Sequence, residues 1–297
     1  MTQNNGGATY WVGRQEAAGG QFSAHWDKIG AVGHYDYGVM TMARTLGSDD
    51  RTWGRGHKGR RVLIGWIQDD SRDKNVAASQ SLSRDLSLSA EYELLQQFVP
   101  EYKMLRQPAT FEQTIVAAAD GGSSVTAHSA GSLQIEIVAT FTFAAMPKAP
   151  FGITVLSGQA AITVDCANTT ILNLGEAPGG CMVAANIQYN GNPPACPHAG
   201  GYGDIALCPH GPVMPIGTKT VTMHIIVDHE IVETIVNNRT AMVTMHKNIP
   251  SATWTAVALV GAGASSGVAG SIKSWHLDAA NNAGPQPLLN TDDIVSR

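Results

Sequence analysis

Short runs of β-branched and aromatic residues recur along the chain, broken by Gly, Pro, Asn and Asp, and no stretch sustains the helical period of apolar positions. Residues 61–67, 133–143, 220–227, 231–236, 241–245, 254–260 and 271–277 read as strands, with Leu133, Ile135 and Ile137 on one face of the second run. Turn residues separate several of them: Asp228-His229 precedes Ile231, and Asn237-Asn238 stands between Val236 and Ala241. Asparagine tolerates positive φ, so this pair predicts a tight hairpin. Many short strands at such spacing indicate an antiparallel sandwich or barrel. The pattern is equivocal at 91–98, which reads either as a turn of helix or as an irregular strand. A polar run, Gln68-Asp69-Asp70-Ser71-Arg72-Asp73-Lys74-Asn75, predicts an exposed connector and a boundary close by. Between Pro178 and Pro215 Gly and Pro dominate, which predicts a long surface excursion inside the sandwich.

With 297 residues the chain can bury a real core without metals or disulfides. A formal charge of −5, 14% charged residues and no basic run give no footprint for nucleic acid or for an anionic membrane surface. No apolar stretch approaches the roughly 20 residues that cross a bilayer, and the opening Met1-Thr2-Gln3-Asn4-Asn5 lacks the basic and apolar segments of a signal peptide. Four cysteines leave one or two bridges open. Two of them sit in a repeated triplet, Cys196-Pro197-His198 and Cys208-Pro209-His210, compatible with a zinc site, with a Cys196–Cys208 disulfide, or with free thiols in a solvated loop. The zinc spacing is not a standard one, so neither a metal nor another cofactor is expected. Sequons at Asn168 and Asn238 bear on function only in a secreted protein. A His-Glu-x-x-His signature and a phosphate loop do not occur in the sequence.

Three ordered blocks carry a resemblance. The first runs through Tyr10-Trp11-Val12-Gly13, His34-Tyr35-Asp36-Tyr37-Gly38, Ala43-Arg44-Thr45-Leu46 and Gly59-Arg60-Arg61-Val62-Leu63-Ile64-Gly65-Trp66-Ile67. The second is Ser79-Gln80-Ser81-Leu82-Ser83-Arg84-Asp85-Leu86-Ser87-Leu88, continuing to Val99-Pro100-Glu101. The third is Val227-Asp228-His229-Glu230-Ile231-Val232-Glu233 with Val236-Asn237-Asn238-Arg239, closing at Ser271-Ile272-Lys273-Ser274-Trp275-His276-Leu277. Together they resemble the C-terminal part of glycoside hydrolase family 32, the β-fructofuranosidases, invertases and fructan hydrolases. The resemblance implies an all-β chain: residues 1–70 a remnant of the last blade of a five-bladed propeller, 71–90 a linker, and 91–297 a jelly-roll-like antiparallel β-sandwich.

It also implies retaining chemistry on a fructose-containing saccharide, for which two carboxyls must stand about 5 Å apart. The family's Asn-Asp-Pro, Arg-Asp-Pro and Glu-Cys motifs are missing from these 297 residues. No catalytic residue is therefore assigned, and the chain is expected to be inactive alone. Arg84-Asp85 is no substitute, because Leu86 replaces the proline and the neighbouring text belongs to the interdomain link. Asp36 and Arg44 stand where the family has residues near the rim of the sugar pocket, which makes them candidate substrate-binding residues; the plainer reading is a turn cap paired with an arginine. His224, His229, Glu230 and Glu233 are expected on a solvated outer face, with His224 and Glu233 on opposite sides of the sheet. Trp254 and Trp275 are expected to anchor the core or the domain junction, a sugar-stacking platform being the other reading. An orphaned blade would be covered by the sandwich, by a missing propeller segment or by a second copy. A non-catalytic carbohydrate-binding or scaffolding sandwich is the alternative function. Members of this family are often secreted or vacuolar, but the compartment of this chain stays open.

Overall fold

The computed structural model describes residues 9–15, 20–28, 31–47, 60–68, 78–115, 128–129, 131–166, 170–171, 175–176, 180–187, 209–245, 251–261 and 267–278. These are nearly all β, with short 3-10 turns at Pro100–Leu105 and Leu156–Gly158. Two six-stranded antiparallel sheets face each other. In spatial order the first holds Arg106–Ile115, Val268–Leu277, Gln134–Phe143, Thr220–Asp228, Ile231–Val236 and Thr240–Met245. The second holds His128–Ser129, Ala256–Val260, Phe151–Val155, Ala160–Asp165, Met182–Ile187 and His210–Pro212.

Strand alternation explains the core. Ile135, Ile137, Ala139, Phe141 and Phe143 point inward from one strand, Val221, Met223, Ile225 and Val227 from its neighbour, and Phe151, Ile153, Ile162 and Val164 meet them from the facing sheet. Phe141 and Phe151 lie 5.1 Å apart between ring centroids, in a tilted arrangement aromatic pairs favour. The predicted hairpins form as the asparagines require: Asn237 and Asn238 take φ of 50° and 56°, and His229 takes 55°.

Two expectations need correction. The 178–215 stretch is not a single surface excursion, because Met182–Ile187 is a strand within the second sheet whose Val183 and Ala185 enter the core. Small residues in Met182-Val183-Ala184-Ala185-Asn186-Ile187 hid its alternation. The 91–98 ambiguity resolves as the strand Leu94–Phe98 after a turn in which Tyr92 adopts φ of 66°.

A disulfide joins Cys166 to Cys181, one step beyond the paired residues Asp165 and Met182. The other two cysteines lie outside the described residues. Closing a loop of 15 residues limits the unfolded chain by about 3 kcal/mol. Reduction is accordingly expected to lower the unfolding free energy by that amount, read as a fall in the urea midpoint. A midpoint unmoved by reductant would mean the ladder alone holds this corner.

A third sheet precedes the sandwich, with Met40–Gly47, Arg61–Gln68, Arg84–Leu88 and Leu94–Phe98 in order and Ala78–Gln80 beside the second of these. Strands from 78–98 complete the sheet begun at 40–68, and the boundary expected at 70 lies outside the described residues. One face of this sheet packs Met40, Leu63 and Ile67 on Val243 and Met245 of the sandwich edge strand. Farther along, Phe98, Leu82 and Tyr102 cover Ile226, Ile235 and Ala241. The outer face of the first sandwich sheet is thus buried over much of its length.

The edge strand Thr240–Met245 has its free backbone groups covered as well. Tyr37 N–H donates to Ala241 O at 2.8 Å and Val39 N–H to Val243 O at 3.0 Å. An uncovered edge of this kind would invite pairing with another chain. The intervening Gly38 lies so close that a Cβ there would stand 1.8 Å from Val243 O.

Candidate functional site

Where the third sheet meets the sandwich, three segments distant in sequence deliver one ion cluster. Asp36 comes from the strap over the edge strand, Arg84 from the first position of strand Arg84–Leu88, and Glu233 from the middle of strand Ile231–Val236. Arg84 Nη2 donates to Asp36 Oδ2 and to Glu233 Oε2, each at 2.8 Å. The remaining carboxylate oxygens take backbone donors: Gly38 N–H at 2.7 Å and Val243 N–H at 3.0 Å on Asp36 Oδ1, and Leu82 N–H at 2.6 Å on Glu233 Oε1. The strap's turn, the edge strand and the segment entering Arg84–Leu88 are thereby tied together.

All three residues are buried, at 0%, 0% and 1% exposure. Burial pushes the Asp36 and Glu233 carboxyls above their usual range, against the pull of Arg84. Burial works the other way on Arg84, but the two carboxylates hold its pKa above the ordinary value. A retaining glycosidase also pairs two carboxyls. With no exposed oxygen Asp36 and Glu233 cannot reach a sugar, so the arrangement is a clamp between two parts of the fold.

This clamp straddles the start of a block recognised at the level of family, with Asp36 and Arg84 before it and Glu233 within it. Residues 101–276, more than half of the chain, match the model described as "Glycosyl hydrolases family 32 C terminal". The chain belongs to glycosyl hydrolase family 32. Solved structures agree on the fold. The fructan 1-exohydrolase IIa of Cichorium intybus superposes with a TM-score of 0.65 at 16% identity, over 90% of this chain and 54% of that chain. An exo-inulinase of Aspergillus awamori gives 0.64 at 17% identity, over 89% and 49%. A β-fructofuranosidase of Aspergillus kawachii gives 0.58 at 14% identity, over 93% and 52%. The chain thus spans about half the length of each of these structures. No curated protein matches it by sequence.

The family resemblance singled out Asp36 and Arg44, and the structure does not bring them together. Asp36 is consumed by the clamp. Its Gly38 contact makes it the turn cap of the plainer reading, but its arginine is Arg84. Arg44 is exposed and pairs across from Ile64, on the face of the third sheet opposite the one that carries Leu63 and Arg84. Of the two, only Arg44 is open to a ligand.

The expected solvated face is also different in this family 32 chain. His229 and Glu230 form a two-residue turn between the paired Asp228 and Ile231. Counting alternation straight through that turn misassigns parity, so His224 and Glu233 share the outer face instead of opposing one another. Both are engaged beneath the covering segments. His224 Nε2 lies 2.7 Å from Glu136 Oε1, and Arg106 grips the same carboxylate through Nε and Nη2 at 2.6 Å each. Burial alone would raise the Glu136 pKa, but the bonds from Arg106 and His224 bring it down to about 2. This carboxylate therefore contributes stability that is present above its unfolded pKa and lost as pH falls toward 2.

Glu136 and the clamping role of Arg84 escaped sequence reasoning. The available signal was a lone carboxylate in each of two apolar strands, Ile135-Glu136-Ile137 and Val232-Glu233-Thr234-Ile235, which calls for a buried partner without naming it. The Arg106 guanidinium also lies 3.7 Å from the Trp275 ring centroid, and Trp254 packs on the core. Trp254 is thus placed against the core as expected of it, whereas Trp275 is half-buried and sits beside Arg106 and Lys273. In the repeated triplet, Cys196, His198 and Cys208 fall outside the described residues. Among those described, no group of three His, Cys, Asp or Glu is placed to hold a metal.

Proposed function

We propose that this chain is the C-terminal part of a retaining glycosidase of family 32 acting on a fructose-containing saccharide, and that its sandwich holds the last sheet of a propeller in place. The catalytic carboxylates would come from residues outside these 297. One observation carries the reading. Trp11, Phe22, Trp26, Met42, Leu46, Trp66, Leu88 and Tyr92 are the large apolar side chains exposed among the described residues, and all of them precede the sandwich. In the third sheet Leu46 and Trp66 lie on the face turned away from the sandwich. A sheet packed on one side and carrying exposed large apolar side chains on the other is what a propeller blade without its neighbours would present.

Two further facts support it. Structural matches covering about 90% of the chain must extend upstream of the family block that begins at 101, so the likeness includes the third sheet. Among the matched enzymes, that of Cichorium intybus was solved with 1-kestose and that of Bombyx mori with sucrose.

The test is fructose release from sucrose, inulin and levan. The purified chain is expected to release none above the uncatalysed rate, and activity is expected only on adding a polypeptide that carries the family's Asn-Asp-Pro, Arg-Asp-Pro and Glu-Cys motifs. Turnover by the chain alone would overturn the assignment of the missing carboxylates.

A further inference from the structure

The clamp is one positive charge short. Arg84 is the single cation facing Asp36 and Glu233 among the described residues. From strand Leu94–Phe98 only the neutral Gln96 reaches in, its Oε1 3.5 Å from Arg84 Nη1. The strap adds the Tyr35 carbonyl, 3.4 Å from the same nitrogen, and the Gly38 N–H. The edge strand adds Val243 N–H, and the segment before Arg84 adds Leu82 N–H. The 3-10 turn adds Tyr102, a neutral phenol that accepts from Ser83 N–H and feels the charge of Glu233 and of Glu101. Two ionised carboxylates here would leave an uncompensated negative charge sealed from water, a state proteins avoid by taking up a proton.

We infer that the folded chain retains one proton in this cluster, carried by Glu233, and that losing it weakens the contact between the third sheet and the sandwich. Glu233 is the carrier because it has one backbone donor, whereas Asp36 has two, and each donor favours the ionised form. The upward direction of both carboxyl pKa values agrees with the geometry. A group raised on folding gives stability that is fully present below its unfolded pKa and lost as pH climbs through its folded pKa. The clamp therefore holds in mild acid and slackens toward alkaline pH. This is opposite in sense to Glu136, whose contribution fades in strong acid.

Two measurements on the whole chain test the inference. Urea unfolding from mildly acidic to mildly alkaline pH should show the unfolding constant of the wild type rising with pH, by up to about tenfold per unit for one proton. In Glu233→Gln that component of the slope should be missing, whatever offset the substitution adds at every pH. A variant slope equal to the wild type's overturns the inference. Infrared spectra of the folded wild type at neutral pH should contain the carbonyl stretch of one protonated carboxylic acid that disappears on unfolding. Its absence overturns the inference even if Glu233→Gln fails to fold, and a band that survives the substitution overturns the choice of Glu233.

Discussion

Replacing Arg84 by Met is expected to destabilise the chain by about 3–5 kcal/mol at neutral pH, the cost of leaving the buried Asp36 carboxylate without its cation. The reason lies in the asymmetry of a buried ion cluster. Forming it gains little over an apolar filling of equal shape, but removing one member exposes the full desolvation cost of the others. Asp36 and Glu233 have no exposed surface through which water could substitute. Methionine fills much of the volume, so a cavity contributes little to the loss. Two further outcomes separate charge from packing. The loss should shrink in mild acid, where a protonated Asp36 needs no partner, and Arg84→Met combined with Asp36→Asn should recover part of it. Urea midpoints for the single and double variants at two pH values are sufficient. A neutral-pH loss below about 1 kcal/mol would mean that the clamp is solvated or that its carboxylates are already neutral.

How much of this was legible beforehand differs between the sandwich and the junction. Strand alternation in 133–143 put Leu133, Ile135 and Ile137 on one face, and that face packs into the core, because the strand is long and this side of it is wholly apolar. The Asn237-Asn238 turn was legible for a local reason, since positive φ is a property of the residue itself. The clamp was not legible, because its members lie 48 and 149 positions apart and no local pattern links them. Arg84-Asp85 drew notice only as a failed motif, although its arginine is fully buried. His224 and Glu233 were misplaced by a counting rule that holds within a strand and fails across a two-residue turn. The missing catalytic motifs, by contrast, could be read only from sequence.

Substituting Gly38 by Ala is expected to be nearly as damaging as losing Arg84, for a reason that involves no charge. A methyl group at this position would stand 1.8 Å from Val243 O and 2.7 Å from its carbonyl carbon, so the backbone itself must move. The strap can yield only by lifting from the edge strand. That movement breaks the Tyr37 and Val39 bonds to Ala241 and Val243 and pulls Asp36 away from Val243 N–H. At about 1–3 kcal/mol for each buried group left unsatisfied, loss of two such bonds amounts to about 4 kcal/mol. The pH profile distinguishes this variant from Arg84→Met. Gly38→Ala should lose stability about equally in mild acid and at neutral pH, because a steric clash does not titrate. It should also bare the edge of strand Thr240–Met245, which hydrogen exchange would report as lost protection at Val243 while the interior strand Gln134–Phe143 keeps its own. A protected Val243 amide in a stable Gly38→Ala chain would mean that the strap does not seal the edge as described, and the clamp would then have to hold the third sheet without it.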